Sequence, residues 1–280
     1  MDSFRRGPYT FDVIDRGPAD GEAIVLLHGF PQDAQSFDGM LPALHAAGYR
    51  TLAPLQRGYS PGARPTERSA YKGGELADDI IALLDGAGLK SAHIVGHDWG
   101  GGVAWGLAYR RPERVRSLVS ISTPHPQALV KAAPKGQIFR SWYMFAFQLP
   151  WAPEAFIGLG ARRGELAKNL EKQGVPAEAA ARYQERMLDP LTRRGSINWY
   201  RGLPLSLKEP VGRITVPTTY IWSNGDTFLG RAAAELTARY VSADYRFAEI
   251  DGGHFLPDDQ PDLMAELVLE RVRSAAPVRA

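Results

Sequence analysis

Two spacings of apolar residues alternate along this chain. Residues 23–27, 93–95, 115–121 and 217–222 are near-continuous apolar runs, as in strands covered on both faces of a parallel sheet. Residues 9–15 (Tyr-Thr-Phe-Asp-Val-Ile-Asp) alternate instead and predict a strand at a sheet edge. Residues 50–54 and 245–250 predict two more strands. Between these runs the period lengthens to that of a helix. It does so over 34–47 (Phe37, Leu41, Leu44, Ala47), 71–88 (Leu76, Ile80, Leu83, Leu84), 100–108, 231–239 and 261–273. Gly17-Pro18-Ala19-Asp20-Gly21 reads as a turn and 57–62 as a loop. Residues 274–280 are expected to fray.

Strand–helix alternation implies an α/β fold, a mostly parallel sheet flanked by helices. The rhythm breaks at Pro124. From there to about residue 213 the chain is rich in aromatics, prolines and helix-like segments, and then the alternation resumes. The expected organisation is a core domain of residues 1–123 and 214–280 with an inserted helical cap, or lid, of residues 124–213.

Composition narrows the function classes. The 280 residues are 44% hydrophobic and 23% charged, with a net charge of +2. That is ordinary globular usage, and too little charge to suggest nucleic acid or a membrane surface as a partner. No cysteine is present, which removes disulfides and thiolate metal sites and suits a reducing compartment. The start, Met1-Asp2-Ser3-Phe4-Arg5-Arg6, has no apolar signal region, and no apolar stretch is long enough to span a bilayer. A cytoplasmic protein, monomer or homodimer, is expected. No metal or organic cofactor is implied: H-E-x-x-H and phosphate-loop motifs are missing, and Gly158-Leu159-Gly160 with Gly164 is too long for a dinucleotide fingerprint.

The stretch with the most chemistry is Val95-Gly96-His97-Asp98-Trp99-Gly100-Gly101, between a predicted strand and a predicted helix. It has the grammar of a nucleophile elbow, a sharp turn that lifts one side chain above a sheet. The usual occupant is serine; here it is Asp98. A carboxylate is ionised at neutral pH, with an ordinary pKa of about 3.9, and needs no base to activate it. It suits displacement at a saturated carbon, as in epoxide opening or carbon–halogen cleavage. The plainer reading is an Asp that caps the next helix.

An ester on Asp98 must be hydrolysed, which calls for a base and a group to orient it. Among the six histidines, His254 in Asp251-Gly252-Gly253-His254-Phe255 follows a strand-like run and precedes the last helix, where such sheets place their chemistry. The acid is expected after the preceding strand, and Asp226 in Ser223-Asn224-Gly225-Asp226 fits; its plainer reading is a turn residue. Asp251, Asp258 and Asp259 read as turn and helix-start acids. The oxyanion of ester hydrolysis needs donors: the backbone N–H of Trp99 and that of Phe30 in His28-Gly29-Phe30-Pro31. His254 must be neutral to act as base, so activity is expected to fall in acid. Gly58-Tyr59-Ser60-Pro61-Gly62 matches the serine-elbow string but not its context, since Pro61 has no N–H and no helix follows directly.

These residues resemble the α/β-hydrolase family, specifically its soluble epoxide hydrolases, over nearly the whole chain. His28-Gly29-Phe30-Pro31 is similar to that family's oxyanion loop, Gly96-His97-Asp98-Trp99-Gly100-Gly101 to its elbow, and Asp226 and His254 fall where it has its acid and base. The family uses two cap tyrosines on the epoxide oxygen. Trp142-Tyr143-Met144-Phe145 resembles the first tyrosine motif and Asn198-Trp199-Tyr200-Arg201 the second, so the resemblance places those roles, and substrate binding with Trp99, on Tyr143 and Tyr200. It implies a small-molecule epoxide as substrate and a vicinal diol as product. Leu55 stands where the family often has an acid and reads as structural. Haloalkane dehalogenases share the Asp–Trp elbow and are the alternative, although they commonly place asparagine where Phe30 stands. A non-catalytic ligand-binding member is a third reading.

Overall fold

The computed structural model describes residues 1–275. The expected fraying of 274–280 lies outside the described residues from 276 onward; Ser274 closes the last helix. One eight-stranded sheet runs through the chain in the order β1-β2-β4-β3-β5-β6-β7-β8. Its strands are β1 (Ser3–Arg6), β2 (Tyr9–Arg16), β3 (Ala23–Leu27), β4 (Arg50–Pro54), β5 (Ala92–His97), β6 (Val115–Ile121), β7 (Thr218–Ser223) and β8 (Tyr245–Ile250). From β4 to β8 all neighbours pair parallel; β1 and β2 join antiparallel. Every residue of β3, β5 and β7 is buried, which is why those strands lack alternation.

One expectation is corrected. Residues 9–15 do not form the sheet edge; β1 pairs outside them, Phe4 opposite Phe11. The two rings stack at 4.8 Å. β1 holds one buried apolar residue among charged and polar ones, too short a pattern to register as a period.

The helices are α1 (Leu41–Ala46), α2 (Gly73–Gly86), α3 (Trp99–Arg110), α4 (Pro126–Ala132), α5 (Gln137–Arg140), α6 (Trp142–Ala146), α7 (Ala152–Arg162), α8 (Glu165–Glu171), α9 (Ala177–Leu188), α10 (Pro190–Ser206), α11 (Arg231–Thr237), α12 (Leu256–Asp259) and α13 (Pro261–Ser274). The helical spacing over 34–47 splits into a 3-10 turn at Ala34–Met40 and α1, because Pro42 enters at the first turn of α1 without a backbone N–H. The spacing at 71–88 is likewise preceded by a 3-10 turn ending at Tyr71.

Two apolar cores lie on opposite faces of the sheet. One joins β3, β5 and β6 to α2 and α3 through Leu27, Ile94, Leu118, Ile80 and Trp105. The other joins the same strands to α1 and α13 through Leu26, Val95, Val119, Leu44 and Val268. Successive residues of one strand therefore feed different cores, as the two-residue period of a strand requires.

Helices α4 to α10 all lie between β6 and β7. Polar contacts fix them to the loops beyond the sheet. Asp33, fully buried, receives Arg182 at 3.2 Å and Arg186 at 2.6 Å, both from α9. The Trp199 indole on α10 donates to the carbonyl of Arg57 at 2.7 Å, and Arg57 is itself clamped by Asp79 through two hydrogen bonds. Losing one partner of such a buried pair leaves a charge without compensation. Among the described residues no helix is long and apolar enough to cross a membrane.

Candidate active site

Four connections leave the carboxyl ends of β3, β5, β7 and β8 and bring Phe30, Asp98, Asp226 and His254 together. This is the end at which parallel sheets hold ligands. Asp98 occupies the turn between β5 and α3 at φ 50°, ψ −120°, an unfavourable backbone for a residue with a Cβ. Close packing holds it there: a Cβ on Gly96 would collide with the backbone of Gly100, and one on Gly100 with the carbonyl of Leu27. The Asp98 side chain makes no capping bond to α3, so the helix-cap reading does not hold.

The Asp98 carboxylate instead splits its oxygens. Oδ1 accepts the Phe30 amide at 2.8 Å, and Oδ2 lies 3.4 Å from Nε2 of His254. The Trp99 amide is at the first position of α3, where the helix supplies no acceptor. His254 donates from Nδ1 to Oδ2 of Asp226 at 2.8 Å. Oδ1 of Asp226 accepts the amides of Phe228 and Leu229 at 2.7 and 2.9 Å. Asp226 is thus both turn residue and partner of the imidazole, one oxygen for each.

Burial by itself would lower the His254 pKa, but the carboxylates of Asp226 and Asp98 outweigh it and lift the pKa to about 10. The Asp98 carboxyl feels the converse. Burial would raise it, yet the hydrogen bond and charge of His254 hold it below its ordinary value. The two carboxylates thus favour the imidazolium form of His254 in the resting site. Removing the negative charge of Asp98 favours the neutral form of His254, the form in which it acts as base. In Asp98→Asn the His254 pKa, followed by NMR of labelled histidine, is expected to fall by about one unit or more. An unchanged titration would show that Asp98 does not govern it.

Above Asp98 and His254 opens a cavity of about 660 Å³, lined also by Tyr143, Tyr200, Phe30, Phe147 and Phe228. Asp98 keeps 18% of its side chain exposed, and it lines this cavity. Tyr143 comes from α6 and Tyr200 from α10. Their rings meet at 5.9 Å, and Tyr200 is packed edge-on against Trp99 at 4.8 Å and Phe30 at 5.7 Å. Burial, and then nearby ionisable groups including Asp98, push both phenols well above their ordinary pKa, so both stay protonated and able to donate.

Ser60 is not part of this site. Its hydroxyl is buried against Asp12, accepting the amide at 2.9 Å and donating to the carboxylate at 3.1 Å.

The sequence did not suggest the support beneath His254. Its carbonyl accepts from Ser122 Oγ and His97 Nε2, each at 2.8 Å. His97 Nδ1 faces Gln32 Oε1 at 2.7 Å, and the Gln32 amide donates to Asp258 at 2.6 Å, which also receives Tyr183 of α9 at 2.8 Å. A neutral imidazole donates at only one nitrogen, and burial lowers His97 to about 4. Burial raises Asp258 to about 6. Asp258 is a helix-start acid, as expected, but one tied into the frame of His254. Phe228, edge-on to His254 at 5.0 Å and to Tyr143 at 5.6 Å, left no signal beyond its place after Asp226.

The sequence matches the alpha/beta hydrolase fold family over residues 22–261. The chain belongs to the α/β-hydrolase family. Within it, this hydrolase is similar to the AB hydrolase superfamily protein YfhM of Bacillus subtilis, 36% identical with 95% of both chains covered. It is 31% identical to Epoxide hydrolase A of Mycobacterium tuberculosis, with 92% of both covered. Among solved structures, Epoxide Hydrolase A from Mycobacterium thermoresistibile superposes with a TM-score of 0.84 at 25% identity, covering 98% of each chain.

Proposed function

We propose that this hydrolase opens epoxides to vicinal diols through an ester on Asp98, with residues 124–213 as the cap over a core of 1–123 and 214–280. The observation that carries this reading is the meeting of two protonated phenols, Tyr143 and Tyr200, with Asp98 and His254 on one cavity.

The steps follow from the geometry. Tyr143 and Tyr200 hold the epoxide oxygen, and Asp98 attacks a ring carbon through Oδ2, the oxygen not held by Phe30. One phenol donates its proton as the carbon–oxygen bond breaks. Ester formation removes the negative charge of Asp98, so the His254 pKa falls and the imidazolium gives up a proton, which balances the phenolate. Neutral His254, oriented by Asp226, then takes a proton from water. That water attacks the Asp98 carbonyl carbon, while the Phe30 and Trp99 amides receive the charge on oxygen. On collapse the proton of the new hydroxyl passes to the departing oxygen, so the diol leaves, Asp98 is again a carboxylate and His254 remains as the imidazolium. Acid slows the second step by keeping His254 protonated.

A small panel of terminal, styrene-like and fatty-acid-derived epoxides, read for diol, tests the reading. Diol formation is expected without halide release from haloalkanes. Halide release with no diol would favour the dehalogenase reading, and binding without turnover the non-catalytic one. The aromatic ring of Phe30, in place of a side-chain amide, favours the epoxide.

A further inference from the structure

The surface around the cavity mouth is unlike the rest of the molecule. Phe139, Trp142, Phe145, Trp151 and Phe156 are each 63–80% exposed. Trp142 and Phe145 are spaced by three on α6 and share one stripe, and Phe139 lines a surface pocket together with Trp142. Trp142 and Phe156 both line the cavity that holds Asp98. A residue that lines a cavity and is also mostly exposed stands at its opening, so Trp142 and Phe156 mark the rim of the mouth, with Phe139, Phe145 and Trp151 close to them in the chain. Exposed aromatic surface this extensive marks an interaction site.

The charge around the rim identifies its partner. Residues 131–172 carry seven Lys and Arg against three Glu, although the whole chain is only +2. One of those acids, Glu154, is neutralised by Arg201 at 2.5 Å. Lys131, Lys135, Arg162, Arg163, Lys168 and Lys172 are exposed, and none has an ion-pair partner among the described residues. Arg162 and Arg163 follow Phe156 on α7 and its end, and Lys168 and Lys172 flank Asn169, which lines the cavity. Exposed aromatic side chains with unpaired cations close by in the chain have the composition of an interfacial membrane anchor. The small net charge of the chain hides this local surplus.

We propose that the aromatic rim of the cap docks on an anionic phospholipid surface, so that the cavity receives lipophilic substrate from the bilayer. The docking stands on the rim alone; that an epoxide is what enters rests on the function proposed above. The cavity wall agrees with a lipophilic ligand, since its charged groups are only Asp98 and His254.

The test uses the full chain in flotation with phosphatidylcholine vesicles, with and without phosphatidylglycerol, in the absence of substrate. Binding is expected to the phosphatidylglycerol vesicles and to weaken as salt rises. The triple variant F139S/F145S/W151S is expected to lose about tenfold or more of that binding, and a K168E/K172E variant to lose the preference for the anionic lipid. Unchanged hydrolysis of a water-soluble epoxide by the triple variant would show that its fold is intact. If that hydrolysis is absent in wild type as well, an unchanged circular dichroism spectrum serves, and the docking result is unaffected. The proposal is overturned if the protein stays unbound at every lipid composition, or if the triple variant binds as wild type. It is equally overturned if sedimentation shows a dimer that the triple variant dissolves and no vesicle binding, for then a second copy covers the rim.

Discussion

Freshly purified Asp98→Asn is expected to hydrolyse epoxides with kcat/KM lowered by about 10⁴-fold or more. The asparagine tolerates the positive φ that the elbow imposes and still offers an oxygen to the Phe30 amide. It cannot attack as a carboxylate. A lost rate with a retained thermal transition therefore reports chemistry rather than unfolding. Slow recovery on storage would mark deamidation back to aspartate, detectable by mass, and Asp98→Ala removes that route. Full activity in fresh Asp98→Asn and in Asp98→Ala would show that some other group does the work.

The second large effect belongs to the phenols. Tyr143→Phe and Tyr200→Phe together are expected to lower epoxide opening by about 10³-fold or more, since the oxygen then leaves without a proton donor. Each single change is expected to be milder, because the remaining phenol stays on the oxygen. Phenylalanine keeps the ring contacts that Tyr200 makes with Phe30, Trp99 and Phe147, so the cavity wall is preserved. Rates of diol formation by the three variants, compared with binding of the diol product, separate loss of chemistry from loss of affinity. A double variant as fast as wild type would remove the phenols from the mechanism, and the preference for an epoxide would lose its main support.

How much of this was legible depended on whether a residue's task has a local signature. β3, β5 and β7 are buried on both faces, so their apolar runs stood out. The elbow was legible because backbone against backbone admits only glycine at Gly96 and Gly100. Asp226 and His254 were found by position after a strand, and the structure brings them to 2.8 Å. β1 was missed because its four residues carry a single apolar side chain, Phe4, too few to register as a period. The frame of Gln32, His97 and Asp258 spans more than two hundred positions, and none of its members carries a motif for that role. The resting charge of His254 has no sequence signal because it depends on two carboxylates converging on one ring, a property of distance and burial. The charged rim of the mouth was hidden in a net charge summed over the whole chain.

The central claim is a covalent ester on Asp98, and heavy-oxygen water tests it most directly. In one turnover, with enzyme in excess over epoxide, the diol is expected to carry the ordinary oxygen that came from the Asp98 carboxylate. The label should then be found in the peptide containing Asp98. Labelled diol from that first turnover, with no label in Asp98, would mean that water attacks the epoxide itself and would contradict the account.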